Sequence, residues 1–334
     1  MKPVPLRNTK YDTVKAAIAY DIVGKDDQAA RAYVMARWQG GAPPSINKAS
    51  DALDVGDLDT SSVALADREM FGSVRERALL FALNPRRTAF RTRSITVSNA
   101  VAGFVDEASP IPLVKPSITN AGLVPAKIAG MAAYTEEALT AAPGIEAQIF
   151  DDLVKAYSDA LDFAMFDPSN DGSGAAPASL TYGAPTVAAT SDIDADLAEV
   201  FAAFEGDLGS AVWVTTPQIG AGLSDAFSGR DIGARGGELA GIPVLVSSAV
   251  PDARLTLVDP RTMLAAWDDF IELRVSSHGT VEMAESPSQN PPTGHAQVSL
   301  WQNNLKAARV VGRVAWVAAG ASPITLTGLW QNAT

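Results

Sequence analysis

The segment FVDEASPIPLVKPSITNAGLVP, residues 104–125, constrains the fold more than any other part of the chain. It has too many large apolar residues for a solvated loop, too many prolines for a central strand, and no helical period. Pro110 and Pro112 lie two residues apart, so their missing N–H groups fall on one side of a strand and are tolerable only at a sheet edge. As a two-armed hairpin that bends near residues 119–122, the segment would reach ~35 Å.

A projecting hairpin of this kind has too little core of its own to be stable in water. Its large apolar side chains therefore need a surface that buries them. We expect a neighbouring subunit to provide that surface. The side chains concerned are Ile111, Leu113, Val114, Ile118, Leu123 and Val124.

Composition excludes several classes of protein. The 334 residues are enough for two domains or one elaborate one. The absence of cysteine excludes disulfides, thiolate catalysis and cysteine-ligated metals. The N-terminal residues lack a signal-peptide pattern, and no run of 18 apolar residues occurs, so we expect neither that secretion route nor a membrane span. A net charge of −12 disfavours a general attraction for nucleic acid.

Charge is unevenly distributed along the chain. Six acids and no base lie between residues 192 and 207, whereas six arginines and one acid lie between residues 75 and 93. These two clusters are either solvated faces or complementary contacts between copies of the chain, where opposite charges set register and encounter rate. The arginines are Arg75, Arg77, Arg86, Arg87, Arg91 and Arg93.

Apolar periodicity predicts the helices of the N-terminal half. Residues 10–39 are predicted as two helical pieces, residues 50–62 as a linker or arm, and residues 64–82 as a further helix. The clearest helix, residues 145–166, has an apolar residue at every fourth position and ends before Asp167 and Pro168. A glycine-rich loop is expected to follow it.

Strands and helices alternate in the C-terminal half. Thr216 and Pro217 are typical of a helix start, and Asp259 and Pro260 repeat this arrangement. The other predicted elements are short strands at 211–215, 242–246 and 255–258, a strand or hairpin at 271–283 around Gly279, and β-rich character at 298–317. This half is therefore predicted as α+β or α/β.

The sequence favours no catalytic or metal site. His278 and His295 are the two histidines, and neither has a second histidine at ligand spacing. The segment DIDAD at 192–196 begins like a calcium loop, but Leu197 stands where the loop needs glycine, so we interpret it as a helix N-terminus. We expect no catalytic residues, no cofactor and no metal. An α/β enzyme or binding domain stays an alternative.

Residues 102–174, from AGFVDEASP to FDPSNDGSG, resemble the major capsid proteins of tailed bacteriophages, which have the Hong Kong 97-type fold. In that family an extended E-loop is followed by a strand, a long spine helix and a glycine-rich turn. The segments VWVTTPQIGAGLSDAF and GELAGIPVLVSSAVPDARLTLVDP resemble units of the family's axial domain. The resemblance covers roughly residue 86 to the C-terminus, including the last hairpin and return strands.

The resemblance implies an α+β capsid fold with an N-terminal arm, an E-loop hairpin, a peripheral domain around the spine helix and an axial α/β domain. The implied boundaries are residues 1–50 for an N-terminal helical segment, 51–100 for the arm, 101–127 for the E-loop, 128–186 with 270–300 for the peripheral domain, and 187–269 with 301–334 for the axial domain.

The function that the resemblance implies is structural and not enzymatic. Such a protein assembles as hexamers and pentamers into an icosahedral phage head that encloses double-stranded DNA without sequence specificity. Its partners would be its own copies together with portal and scaffold or protease proteins, without a membrane, and it would assemble in the bacterial cytoplasm and reside in the virion. A phage-derived gene-transfer particle and a bacterial nanocompartment shell of the same fold are the alternatives.

The resemblance also assigns contacts between subunits. The E-loop residues expected there are Phe104, Ile111, Leu113, Val114, Lys115, Ile118 and Leu123. The residues expected to contact another subunit or the arm are Arg86, Arg87, Arg91 and Arg93.

The sequence departs from the family pattern in two respects. Many members carry a long scaffolding segment that a phage protease removes, whereas here only about residues 1–50 precede the arm and no cleavage signature is visible. Some members join subunits by a Lys–Asn isopeptide bond that a Glu catalyses. Lys115 lies in the matching loop, but the sequence pairs no Asn and Glu with it, so we interpret it as a solubilising charge.

Overall fold

The structure is a computed structural model that describes residues 62–94, 121–141, 144–226, 232–282 and 297–329. The chain divides into two compact units. The described residues of the first lie within 62–75, 129–157 and 269–312, and those of the second within 76–128, 158–268 and 313–329. The predictions for residues 1–61 and for most of the E-loop lie outside the described residues. The peripheral and axial boundaries stay predictions.

The described residues include six α-helices and sixteen strands. The helices are α1 (Ser62–Arg77), α2 (Leu79–Leu83), α3 (Glu136–Ala141), α4 (Ile145–Phe166), α5 (Ile193–Ala203) and α6 (Pro217–Ala226). The strands are β1 (Arg86–Arg87), β2 (Arg93–Ser94), β3 (Ala121–Gly122), β4 (Ala126–Thr135), β5 (Thr186–Ala188), β6 (Val212–Thr215), β7 (Ile232–Gly233), β8 (Gly236–Leu239), β9 (Ile242–Val246), β10 (Arg254–Val258), β11 (Met263–Trp267), β12 (Glu272–Ser276), β13 (Thr280–Glu282), β14 (Gln297–Ser299), β15 (Leu305–Ala318) and β16 (Ile324–Thr327).

Helix α4 confirms the prediction from four-residue spacing, because it spans Ile145–Phe166. Leu153, Tyr157, Leu161 and Met165 are all buried, as the apolar stripe requires. After the helix, the Asp167 carboxylate accepts hydrogen bonds from the Ser169 N–H and hydroxyl, which turns the chain away from the helix axis. No helix in the described part of the chain is long and apolar enough to cross a membrane.

In the first unit, the first half of β15 lies between β12 and β4. Strand β12 pairs antiparallel with β15, from Glu272 opposite Val311 to Ser276 opposite Ala307. Phe150 and Leu153 of α4 and Leu273 of β12 line one small apolar cavity, so the helix covers one face of this sheet.

Asp67 of α1 protects the outer edge of β12. Its carbonyl oxygen accepts the Ile271 N–H at 3.3 Å, and its Oδ1 accepts the Leu273 N–H at 2.8 Å. The same carboxylate pairs with the Arg274 guanidinium at 2.8 Å. These contacts satisfy two N–H groups that an edge strand would otherwise present to water.

A mixed seven-stranded sheet with the order β5-β16-β10-β6-β9-β8-β7 dominates the second unit. Strand β10 is antiparallel to β16 and β6, whereas β6 is parallel to β9. Helix α5 packs beside β5 and β16, and α6 packs beside β7. The core between helices and sheet contains Val200, Trp213, Leu223, Leu239, Leu255, Leu257 and Leu326, none of them measurably exposed.

The second unit also contains a shorter set of strands. The second half of β15 pairs antiparallel with β11, and β1 pairs parallel with β11. A small apolar cluster of Leu123, Leu264, Ala266 and Ala315 is buried here.

The helix predicted over residues 64–82 is interrupted. Helix α1 ends at Arg77, Ala78 is extended (φ −75°, ψ 138°), and α2 begins at Leu79. The Leu79 N–H donates to Asp162 Oδ1 at 2.8 Å. The break therefore depends on a carboxylate 83 residues away.

Two further local predictions need correction. No hairpin forms around Gly279, because β12 pairs with β15 and β13 pairs with β14. Asp259 does cap the following residues by accepting the Arg261 N–H, but a single 3₁₀ turn, Pro260–Thr262, leads directly into β11. The DIDAD segment is a helix N-terminus, as predicted: Asp192 accepts the N–H groups of Asp194 and Ala195 at the start of α5.

Candidate subunit-contact surfaces

A short ladder brings together the two ends of residues 95–120, which include most of the proline-punctuated segment. Arg93 pairs with Gly122 and Ser94 with Ala121 in the antiparallel strands β2 and β3. The Arg91 N–H continues this ladder by donating to the Leu123 carbonyl at 2.8 Å. The chain thus leaves the ladder at Ser94 and re-enters it at Ala121, which is the end-to-end geometry that a hairpin needs.

Leu123 has a different place from the one expected. It was predicted at a contact between subunits, but it is 1% exposed and packs against Leu264, Ala266 and Ala315 of its own unit. Val124, the next residue, is 72% exposed. Leu123 therefore fixes the base of the segment, and Val124 presents an apolar side chain to solvent. The other predicted E-loop contact residues lie outside the described ranges, and their assignment stays a prediction.

The four arginines that were predicted to contact another subunit or the arm lie in different environments. Arg87 is held by its own unit: its Nη2 donates to the Trp267 carbonyl at 3.2 Å, and its guanidinium carbon lies 4.9 Å from the centre of the Trp267 ring. Arg86 and Arg91 are exposed. The backbone of Arg93 belongs to the β2–β3 ladder. Arg86 and Arg91 are thus better placed than Arg87 to reach another chain.

The acidic cluster at residues 192–207 is mostly exposed but not uniform. Asp196 is only 2% exposed, and its carboxylate accepts the N–H and hydroxyl of Thr190, both at 2.7 Å. Asp207 accepts the Gly209 N–H and lies 3.9 Å from Arg261. Asp196 therefore has a structural role, whereas the exposed acids can be solvated or can face a positively charged surface.

Apolar side chains exposed to solvent are a second kind of surface. The large ones among the described residues are Val124, Met131, Phe163, Tyr182, Leu208, Phe270 and Trp301. Apart from Val124, sequence reasoning did not identify them, because periodicity indicates which face is apolar but not which apolar residue remains uncovered. Trp301 is the most exposed of them, at 75%.

Titratable side chains of the described residues are a third kind of candidate site. They contain no group of three or more His, Asp or Glu arranged to hold a metal. His278 is exposed, and its Nδ1 lies 3.1 Å from the Ser277 hydroxyl. Burial raises the pKa of Asp162 to about 7, against the opposing effect of hydrogen bonds from Leu79 and Ser247. Since those partners join segments of the fold, the perturbed carboxyl has a structural explanation.

The structure pairs an asparagine with a glutamate that the sequence left apart. Asn304 Nδ2 donates to Glu137 Oε1 at 2.8 Å, and this bond holds the pKa of Glu137 below its usual value. Both residues belong to the first unit. Lys115 lies outside the described residues, so its interpretation as a solubilising charge stays a prediction.

Comparisons with known proteins agree with this architecture. The chain is 28% identical over 267 residues to the capsid polyprotein of Pseudomonas phage PAJU2, covering 73% of this chain and 40% of that protein. It therefore spans about two fifths of the length of this curated relative.

Solved structures show the same fold. A chain from Gordonia phage Cozz matches with a TM-score of 0.52 and 17% identity over 75% of this chain and 86% of that chain. A chain from Microbacterium phage Oxtober96 matches with a TM-score of 0.52 and 18% identity over 75% and 90%. These likenesses confirm the predicted α+β capsid fold.

The family model of the phage capsid family matches residues 65–288, about two thirds of the chain. This range contains most of the described elements, from α1 to β13. The chain belongs to the phage capsid family.

Proposed function

We propose that this chain is a structural major capsid protein that assembles as hexamers and pentamers into an icosahedral phage head. The observation that carries the proposal is the family match over residues 65–288. The head would enclose double-stranded DNA without sequence specificity. Portal and scaffold or protease proteins would be further partners, with assembly in the bacterial cytoplasm and final location in the virion.

The ladder at the base of the apolar segment supports the proposed assembly. Strands β2 and β3 hold both ends of residues 95–120 at one place on the second unit. The segment's own composition requires an apolar surface to cover it. In a shell, a modest contact of this kind is repeated at each symmetry-related position, and the repetition multiplies its contribution.

Electron microscopy of the purified chain, alone and with the products of neighbouring genes, tests the proposal. Faceted shells that contain DNA are the expected result. Shells that enclose protein cargo would instead identify a nanocompartment, and particles of low oligomeric state with a small-molecule ligand would identify an α/β enzyme or binding domain.

Placing charges in the apolar segment should prevent assembly. We expect the Ile111→Asp, Leu113→Asp double variant to fold as a monomer, but to give shell yields at least about tenfold lower, because two carboxylates would have to be buried at each contact. Sizing chromatography and microscopy measure the yield. A Ser117→Asp variant controls for added charge in the same segment. Equal shell yields from the double variant and the unaltered chain would contradict this contact.

Reversing the exposed arginines should slow assembly more than it weakens the shell. The Arg86→Glu, Arg91→Glu double variant is expected to assemble several-fold more slowly at low salt, with a smaller difference at high salt, because screening weakens interactions between exposed charges. Light scattering follows the rate. Arg235→Glu, at an exposed arginine outside the cluster, is compared with the single variant Arg86→Glu, which has the same change in charge. A rate that falls equally in both variants would indicate a general charge effect and not a specific contact.

A further inference from the structure

Trp301 is an exposed aromatic side chain on a turn between β14 and β15. It is 75% exposed, while its neighbour Leu300 is 2% exposed. The Leu300 N–H donates to the Gly279 carbonyl at 2.9 Å. The turn is therefore anchored in its own unit by the residue directly before the exposed indole.

Hydrogen bonds within the turn fix its backbone. The Asn304 N–H donates to the Trp301 carbonyl, and the Leu305 N–H donates to the Leu300 carbonyl at 2.8 Å. Ser299 accepts the Asn303 N–H and side-chain amide through its carbonyl oxygen. Such bonds leave few backbone conformations accessible to a segment of this length.

The turn is also attached to the start of α3. The Glu136 N–H donates to the Asn304 carbonyl at 3.1 Å, and the Asn304 side chain donates to Glu137 at 2.8 Å. Asn304 adopts a positive φ of 53°, which this network supports. The backbone that carries the indole is thus held by Gly279, by β14 and by α3.

An indole presented in this way is suited to protein binding. A tryptophan offers a large contact area with only two side-chain torsions to restrict, so its ordering cost on binding is low. Because the turn is already fixed, binding does not incur a conformational-entropy cost for ordering its backbone. Tryptophans of this kind are enriched among the residues that dominate binding at protein interfaces.

The charge around Trp301 favours a second copy of this chain as the partner. Residues 297–305 read QVSLWQNNL and contain no charged side chain. Two copies that each carry −12 repel one another, so their contacts are most favourable where charge is absent or paired. Of the adjacent charges, Lys306 Nζ lies 3.5 Å from Glu136 Oε1, and the Glu137 carboxylate accepts the Asn304 side-chain amide. Duplex DNA would instead require unpaired cations at such a surface.

We propose that Trp301 is an anchor residue through which one copy of this chain binds an apolar, uncharged surface of a second copy. The inference rests on the proposed function, since it assumes self-assembly. It adds a contact made by a folded turn of the first unit, separate from residues 95–120.

Assembly of the Trp301→Ala variant tests the proposal. We expect it to need an about tenfold higher protein concentration for assembly than the unaltered chain, whereas Trp301→Phe, which keeps an aromatic ring, should need less than about threefold more. Gln218→Ala, at an exposed polar residue of α6 in the second unit, should assemble normally. Monomer unfolding temperatures should agree among all four proteins, because Trp301 is exposed in the monomer.

Fluorescence gives a second readout that a change in folding would not produce. The difference in emission between the unaltered chain and Trp301→Phe isolates the signal of Trp301. That signal should be quenched by acrylamide in the monomer and become several-fold less accessible on assembly. An unshifted assembly concentration for Trp301→Ala, or an indole that stays equally accessible in shells, would overturn this inference alone. Absence of any assembly by the unaltered chain would overturn the proposed function and this inference together.

Discussion

Raising the pH from 4 to 8 should lower the free energy of unfolding of this chain by roughly 3 to 4 kcal/mol relative to the Asp162→Asn variant. Asp162 is 2% exposed, and burial raises its pKa from 3.8 to about 7. Asp159 raises this pKa further, whereas the Leu79 and Ser247 hydrogen bonds and Arg77 lower it. Between pH 4 and 7 the folded chain keeps a proton that the unfolded chain has released, so stability falls as the pH rises.

Asparagine should reproduce the protonated carboxyl. Its Oδ1 can accept the Leu79 N–H, and its Nδ2 can donate to the Ser247 hydroxyl, which lies 2.8 Å from Asp162 Oδ2. Denaturant unfolding of both proteins at each pH gives the difference. Ser247→Ala is an informative control: it removes a donor that favours the carboxylate, so the decline should continue to higher pH. Parallel pH profiles for the unaltered chain and Asp162→Asn would contradict the assignment.

Local sequence signals predicted elements whose stabilising contacts are repeated along the chain. The four-residue apolar spacing predicted α4 with both of its ends, because the same buried stripe recurs over the whole helix and Pro168 prevents its continuation. Strand β9 was likewise predicted with its observed bounds, Ile242–Val246. The cap at Asp192 depends only on the next three residues, so it too was predictable.

The predictions of local structure that failed did so because of contacts between residues far apart in sequence. Nothing near Ala78 in sequence indicates that the Leu79 N–H bonds to Asp162, so the break between α1 and α2 could not be predicted. The alternation around Gly279 correctly indicated strands, but a local pattern cannot show that β12 pairs with β15 and β13 with β14. Choice of strand partner depends on the whole sheet.

The candidate contact surfaces were likewise predictable only where they depend on local sequence. The apolar composition of residues 104–125 predicted a segment that needs a partner, but Leu123 packs inside its own unit because β3 brings it beside Leu264. Arg87 could not be distinguished from Arg86 by sequence, since its Trp267 partner is 180 residues away. The sequence around Trp301 did not indicate that this side chain is exposed, because its exposure depends on whether other segments of the fold cover it.

Trp213 forms the centre of the core in the second unit. It is fully buried in β6, opposite Leu257 of β10 and Val244 of β9, and its ring meets that of Phe201 edge-on at 5.8 Å. Its indole Nε1 is buried without a hydrogen-bond partner among the described residues. The side chain therefore contributes through its apolar area and contacts, and its one polar atom opposes that contribution.

Two substitutions at this position should separate the effects. Trp213→Ala should lower the free energy of unfolding by about 3 to 5 kcal/mol, because it leaves a large cavity between sheet and helix. Trp213→Phe also leaves a cavity but removes the unsatisfied N–H, whose burial costs about 1 to 3 kcal/mol, so we expect a net change under about 1.5 kcal/mol. Denaturant unfolding of the purified monomers measures both. If Trp213→Phe destabilised the chain as much as Trp213→Ala, the Nε1 group would have to make a stabilising contact. Removal of this N–H would then not compensate for the lost part of the indole ring. If Ala were nearly neutral, Trp213 would not be the centre of this core.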